Sequence, residues 1–221
     1  MAETRLHCLE TVDSTNSEAW RAVAREGRAA DGLVVVAAGQ TAGRGQQGHP
    51  WFSQVGAGLY MSTLDFPLDL PATEVPRLAA LGAEAVLAAL AHLGCCPASA
   101  VVKPPNDILV DGRKLCGVLI ETRLTAPGPG HEAMVEAVVA GFGINLHHGP
   151  DDFPADLRST ATSLAQLGCP VPTLQILAVA LAREWRHRLS ALTEEQPLHA
   201  SPDVLFHHSH APHLAATKPT T

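Results

Sequence analysis

Gln40-Thr41-Ala42-Gly43-Arg44-Gly45-Gln46-Gln47-Gly48-His49-Pro50-Trp51 is the stretch of this chain best suited to chemistry. Its glycines let the backbone turn sharply and approach a ligand closely. Arg44 stands among them with no carboxylate nearby in sequence. Successive amide N–H groups and one guanidinium make an anion cradle, against the plainer alternative of a flexible surface loop. A second segment, Lys103-Pro104-Pro105-Asn106-Asp107, holds a lysine extended beside two prolines, then offers an amide and a carboxylate. Alone it reads as a turn carrying a surface lysine. Together with the glycine loop, Arg44, Lys103 and the loop amides can face one polyanion, with Asp107 helping to hold magnesium.

The loop also matches Gly-x-Gly-x-x-Gly after the apolar run Leu33–Ala38, which invites a dinucleotide-binding reading. That reading needs a helix to open at the third glycine. Here Gly48 leads into His49-Pro50-Trp51-Phe52-Ser53, which predicts loop and then strand. Nucleophilic catalysis finds no support either. There is no Gly-x-Ser-x-Gly elbow, and Cys116 lies in an apolar strand, where an inert buried thiol is the default.

The elements that must position these residues emerge from patterning. A strand is expected over about 5–10, and a helix from Thr15 to about Arg25, with Thr15 and Glu18 at capping-box spacing and Gly27 beyond its end. Leu33–Ala38 predicts a strand covered on both faces, and Leu59–Leu64 another. Thr73–Leu93 is the strongest helix, with Pro76 in its first turn. Ala100–Lys103, Ile108–Val110 and Leu115–Ile120 are strand-like, and Asp111-Gly112 signals a hairpin. Gly117 in mid-strand suggests that a ligand or another backbone comes close, while Lys114 reads as a hairpin surface residue. Ala133–Asn145 predicts a long strand with Gly141 and Gly143 near its end, and Thr173–Leu192 an amphipathic helix. Strand pairs outnumber βαβ units, so the expected fold class is α+β: a mixed sheet packed with helices.

Composition limits the alternatives. At 221 residues the chain fits one domain, expected at 1–195, with a His/Pro-rich tail at 196–221. The tail's His207, His208, His210 and His213 suggest metal, but a poorly ordered tail is the stronger reading. The net charge of −7 gives a nucleic-acid partner no electrostatic support. The five cysteines have no metal-like spacing and their odd number argues against a disulfide framework, so a reducing cytoplasm is expected. No signal peptide is evident, and no apolar run is expected to reach the length of a membrane span.

The ordered set Ser14-Thr15-Asn16, Gln40 before Gly43-Arg44-Gly45 and Trp51, Lys103…Asn106-Asp107, Lys114…Gly117…Glu121 and Gly141-Phe142-Gly143-Ile144-Asn145 resembles the catalytic domain of biotin–protein ligases. The resemblance covers about Leu6 to Leu192. It implies the fold of class II aminoacyl-tRNA synthetases and lipoate ligases, and a cytoplasmic, AMP-forming activity. Biotin and Mg-ATP would give biotinyl-5′-adenylate, and the biotin would pass to a lysine of a biotin carboxyl carrier protein. By this resemblance Ser14, Thr15, Asn16, Gln40, Arg44, Gly45, Gln46, Lys103 and Gly117 bind biotin. Gly43, Arg44, Gly45, Gln46, Trp51, Asn106 and Asn145 bind ATP, and Lys103 and Arg44 act in catalysis. Trp51 offers a stacking surface or belongs to the core. The resemblance also admits a homodimer.

The chain departs from the pattern in places. The family usually has arginine at Gln46, where it helps retain the adenylate, and tryptophan at Pro104. A small β-barrel usually follows the catalytic domain, and the tail does not resemble one. With a strand beginning almost at Met1, no DNA-binding helix-turn-helix and no DNA partner are expected. The alternatives are a lipoate ligase or transferase, whose Arg-x-x-Gly-Gly signature is not found, and a non-catalytic biotin-binding regulator.

Overall fold

The computed structural model describes residues 4–128 and 132–194; the His/Pro-rich tail, with its four clustered histidines, lies outside the described residues. The elements are β1 (Arg5–Val12), α1 (Thr15–Glu26), β2 (Leu33–Gln40), β3 (Gly58–Asp65), α2 (Val75–His92), β4 (Ala100–Lys103), β5 (Asp107–Val110), β6 (Arg113–Leu124), β7 (Val135–Asn145) and α3 (Leu174–Glu194). They build a seven-stranded sheet in the order β1-β2-β3-β7-β6-β5-β4. Only β1 and β2 pair in parallel, and α1 makes the crossover between them. This is the expected mixed sheet.

Alternation along the strands assigns the two faces. On one face Val34, Met61, Val118, Val138 and Phe142 pack against α2 and α3. On the other, Val35, Leu64, Ala137 and Val139 pack against Ala19, Ala22 and Val23 of α1. Burying each such valine or leucine contributes about 1.5–3 kcal/mol, so the two-sided apolar strands carry most of the stability. Ala72–His92 is long and apolar enough to cross a membrane by composition, which the sequence expectation missed. Leu78, Val86 and Leu90 are fully buried in the sheet–helix core, so this apolarity serves packing.

The N-cap of α1 is Ser14, not Thr15, and no side-chain capping bond forms. Instead Glu18 pairs with Arg21 and Arg25, and the Thr15 amide donates to Gln40 Oε1 at 2.9 Å. At the β5–β6 hairpin, Asp111 and Gly112 both take positive φ (51° and 78°), the pairing a tight two-residue turn requires. Farther away, α3 is tied to the sheet through Asp65, which accepts from Trp185 Nε1 (2.7 Å) and Arg186 Nε (3.1 Å).

Candidate active site

The floor of the site is a place where the sheet lacks side chains. On the α1 face β7 runs Ala137, Val139, Gly141, Gly143, because successive residues alternate faces. In register, Gly143 lies between Tyr60 and Gly117, and Gly141 lies between Ser62 and Leu119. The small residues leave a hollow beside the N-terminus of α1, and the chain fills it with functional groups. A Cβ on Gly141 would stand 2.3 Å from Asn16 Oδ1, and one on Gly143 would stand 2.4 Å from a ring carbon of Trp51. Alanine is therefore excluded at both positions unless Asn16 or Trp51 moves.

The walls are polar. Ser14, Thr15 and Asn16 are buried at the start of α1. Ser62 Oγ lies 2.7 Å from Thr15 Oγ1 and 2.6 Å from Asn16 Oδ1. Gln40, at the end of β2, accepts from the Thr15 amide and donates to Ser53 Oγ at 2.9 Å. The Asn16 Nδ2 group is buried without a partner, a donor at the edge of the hollow. An unpaired buried donor costs about 1–3 kcal/mol, a cost that a ligand acceptor would relieve.

The glycine loop closes over this hollow. Thr41 and Ala42 bond back to Val12 and Asp13, Gly45 N–H donates to His49 O (2.7 Å), and Trp51 N–H to Gly43 O (2.9 Å). The Arg44 guanidinium donates to Ser17 Oγ (2.8 Å) and Glu121 Oε1 (2.9 Å). The absence of a carboxylate near Arg44 in sequence is thus reversed in space.

Two cavities result. The first, about 40 Å³, is lined by Ser14, Thr15, Asn16, Gln40, Arg44, Gly45, Gln46, Trp51, Asn106, Lys114 and Gly117, together with Gly141 and Gly143. The second, about 330 Å³, is lined by Trp51, Phe52, Lys103, Asp107, Lys114, Asn145 and Phe153 among others. Most of the residues expected on the biotin side therefore meet in the first cavity. Lys103 does not: it lies in the second, because β4 is the far edge strand of the sheet. Asn106, expected on the nucleotide side, lines the first cavity and bonds Val118 O through Nδ2 (2.8 Å). Asn145 Nδ2 bonds Lys114 O and Thr162 O, fixing the backbone beside the second cavity. Gly43 lines neither; a Cβ there would meet Ser53 Oγ and Trp51 O at 2.7 Å.

The cation shared by both cavities is Lys114, which sequence reasoning passed over. Its Nζ lies 2.7 Å from Asp107 Oδ1, an ion pair without an aligned hydrogen bond, and 5.3 Å from the Trp51 ring centre. Beside the hairpin turn it reads as a surface residue, and a bulge turns it inward. Leu109 pairs with Lys114 but Ile108 pairs with Cys116, so Leu115 is an extra residue and strict alternation fails. Gly117 is three residues from Lys114, opposite in face by counting, yet a Cβ on Gly117 would stand 3.2 Å from Lys114 Cε.

At the second cavity Phe52, His148 and Phe153 cluster: His148 stacks on Phe153 at 4.6 Å, and Phe52 is tilted against both. Burial lowers the His148 pKa to about 4, so the ring is neutral at pH 7. Cys116 is fully buried, and burial pushes its thiol well above the usual range, which removes it as a nucleophile. Among the described residues no cluster of His, Cys, Asp or Glu could hold a metal ion unaided. The expected magnesium ligand, Asp107, offers one carboxylate, already paired with Lys114.

Comparison with known proteins gives the same direction. The model of the "Biotin/lipoate A/B protein ligase family" matches residues 9–145, spanning the glycine loop, both lysine segments and β7. The bifunctional ligase/repressor BirA of Bacillus subtilis is 40% identical over 138 residues, covering 62% of this chain but only 40% of that protein. The biotin–[acetyl-CoA-carboxylase] ligase of Paracoccus denitrificans is 35% identical over 191 residues, covering 82% of this chain and 72% of that one. In structure, the biotin protein ligase from Aquifex aeolicus in complex with biotin and ATP superimposes with TM-score 0.68 at 26% identity, covering 87% of this chain and 73% of that one. A match across most of the sheet and the whole hollow leaves one placement: the chain belongs to the biotin/lipoate A/B protein ligase family.

Proposed function

We propose that this chain is an ATP-dependent biotin–protein ligase. The observation that carries the reading is the pair of adjoining cavities, one polar and floored by glycine, the other aromatic and lysine-bearing, with Lys114 and Trp51 on their shared wall. The first suits a small, rigid, hydrogen-bonding head group: Asn16 Nδ2 donates to its carbonyl, and Thr15 Oγ1 and Gln40 bracket its N–H groups. The second suits a nucleotide, with Phe52 and Phe153 beside the base and Lys103 toward the phosphates.

The chemistry then needs no enzyme nucleophile. A biotin carboxylate oxygen attacks the α-phosphorus of ATP, the bond to the bridging oxygen breaks, and pyrophosphate leaves. The lysine amine of a biotin carboxyl carrier protein next attacks the acyl carbon of the mixed anhydride and loses a proton, and AMP departs. Lys114 sits where charge grows on the α-phosphoryl oxygens, and the protein's work is positioning and charge neutralisation. Magnesium would arrive with the nucleotide phosphates. Asp107, occupied by Lys114, does not fit a resident ion, and no step is assigned to one. The first cavity is small and the Trp51 indole lies over Gly117 and Gly143, so the indole shifts from the glycine floor as biotin enters.

The family includes lipoate enzymes, and the test separates them. The purified chain is incubated with ATP, a carrier domain, and either biotin or lipoate, and the carrier's intact mass is read. Biotin-dependent addition to a single carrier lysine is expected. Addition of lipoate alone would overturn the choice of substrate, and biotin binding with no transfer would leave a non-catalytic binder.

A further inference from the structure

The glycine loop is anchored by groups outside the two cavities. Arg44 donates to Ser17 Oγ on α1 and to Glu121 Oε1 on β6. The other Glu121 oxygen accepts from Trp20 Nε1 at 2.7 Å. Ser17 and Trp20 are one helical turn apart and face the same way. Glu121 shares a face of β6 with Gly117 and Leu119, both of which line the first cavity. One carboxylate thus ties together the loop, the helix and the strand that form three sides of the hollow. The bonds at the loop's tip stay within the loop: Gly45 N–H to His49 O, and His49 Nδ1 to Gln46 O. Its side-chain tether to the body of the protein is Arg44.

We infer that Glu121, held by Trp20, is a positioning residue that sets the loop over the site, with Arg44, on the wall of the first cavity, as its tether. Arg44 is exposed, but Glu121 is half-buried, and the indole bond removes much of the rotamer freedom that weakens surface pairs. With the clasp formed, the loop amides and Gln46 are held at the rim before ligand arrives, so less ordering remains for binding. The consequence for biotin rests on the ligase reading; the clasp itself does not.

The test has two arms. In ligand-free protein, amide exchange over residues 41–50 is compared between wild type, Glu121→Gln and Trp20→Phe. Glu121→Gln keeps shape and an acceptor but loses the charge, and should speed loop exchange by about tenfold while α2 and α3 keep their rates. Trp20→Phe keeps ring packing, loses the N–H, and should give a smaller acceleration of the same amides. In the second arm, calorimetry should show biotin binding weakened by about tenfold in Glu121→Gln. Adding Arg44→Gln should then worsen it little, because both substitutions break one link. Unchanged loop exchange in Glu121→Gln, or additive losses in the double variant, would overturn the inference. If wild type binds no biotin the functional reading fails, and the exchange arm still judges the clasp.

Discussion

Lys114 and Lys103 differ in what they reach, and that difference predicts separable kinetics. Lys114 borders both cavities, whereas Lys103 borders only the larger. Lys114→Ala should lower the rate of adenylate formation by about two to three orders of magnitude, the usual loss when a donor to developing charge is removed from a closed site. Lys103→Ala should instead raise the KM for ATP by about tenfold with a smaller effect on kcat, as expected for a charge-assisted bond to a phosphate made equally in ground and transition states. Single-turnover pyrophosphate release for the two variants checks both, and equal losses would show that position relative to the cavities does not matter. Gln46, at the rim of the first cavity, gives the second test at this scale. A neutral amide holds phosphate less firmly than the guanidinium that the family resemblance leads one to expect there. Gln46→Arg should slow dissociation of biotinyl-adenylate by about tenfold and reduce labelling of bystander lysines. An unchanged dissociation rate would mean that other groups retain the intermediate.

The loop and the strands beneath it act together. Trp51 lies over Gly117 and Gly143, and under the ligase reading it gives way to ligand while a mixed anhydride is kept from water. Amide protection over 41–50 should therefore rise when biotin and ATP are added, along with a change in tryptophan fluorescence that Trp51→Phe removes. Equal protection with and without ligand would contradict loop closure. The regular strands and helices were legible because their periods are local: β2 and β7 alternate cleanly into both apolar faces, and Asp111-Gly112 announces its own turn. Ser14-Thr15-Asn16 and Gln40 were legible too, although the lack of a capping box on α1 was not, because Gln40 takes the Thr15 amide that Glu18 would have bonded. Lys114 escaped because its place beside the Asp111-Gly112 turn reads as hairpin surface, whereas the bulge at Leu115 brings it onto the Gly117 face. The Arg44–Glu121 pair escaped because its partners lie 77 residues apart and meet through a sheet in which β3 and β7 separate β2 from β6.

At the scale of the molecule, the aromatic cluster of Phe52, His148 and Phe153 couples the site to pH. Burial holds the His148 pKa near 4, below the 6.5 it would have in the unfolded chain. The unfolded state therefore binds more protons between those values. Stability should be level above about pH 6.5, fall as pH drops toward 4, and level off for this group below that. With the opposing pull of the Asp152 carboxylate already included, the fall from 6.5 to about 4 corresponds to a loss of about 3 kcal/mol. His148→Phe should flatten that part of the urea-unfolding profile; an unchanged slope would show that the ring is protonated without cost. Loss of this cluster at low pH should loosen the wall of the larger cavity before the sheet unfolds, since Val34, Met61, Val118 and Phe142 lie on the opposite face with α2 and α3. The arrangement as a whole stands or falls on whether the two cavities bring a carboxylate to ATP. Exchange of labelled pyrophosphate into ATP measures that step without a carrier protein: it should be absent without biotin, appear when biotin is added, and collapse in Lys114→Ala. Exchange that ignores biotin, or none at all in a chain that binds both ligands, would contradict it.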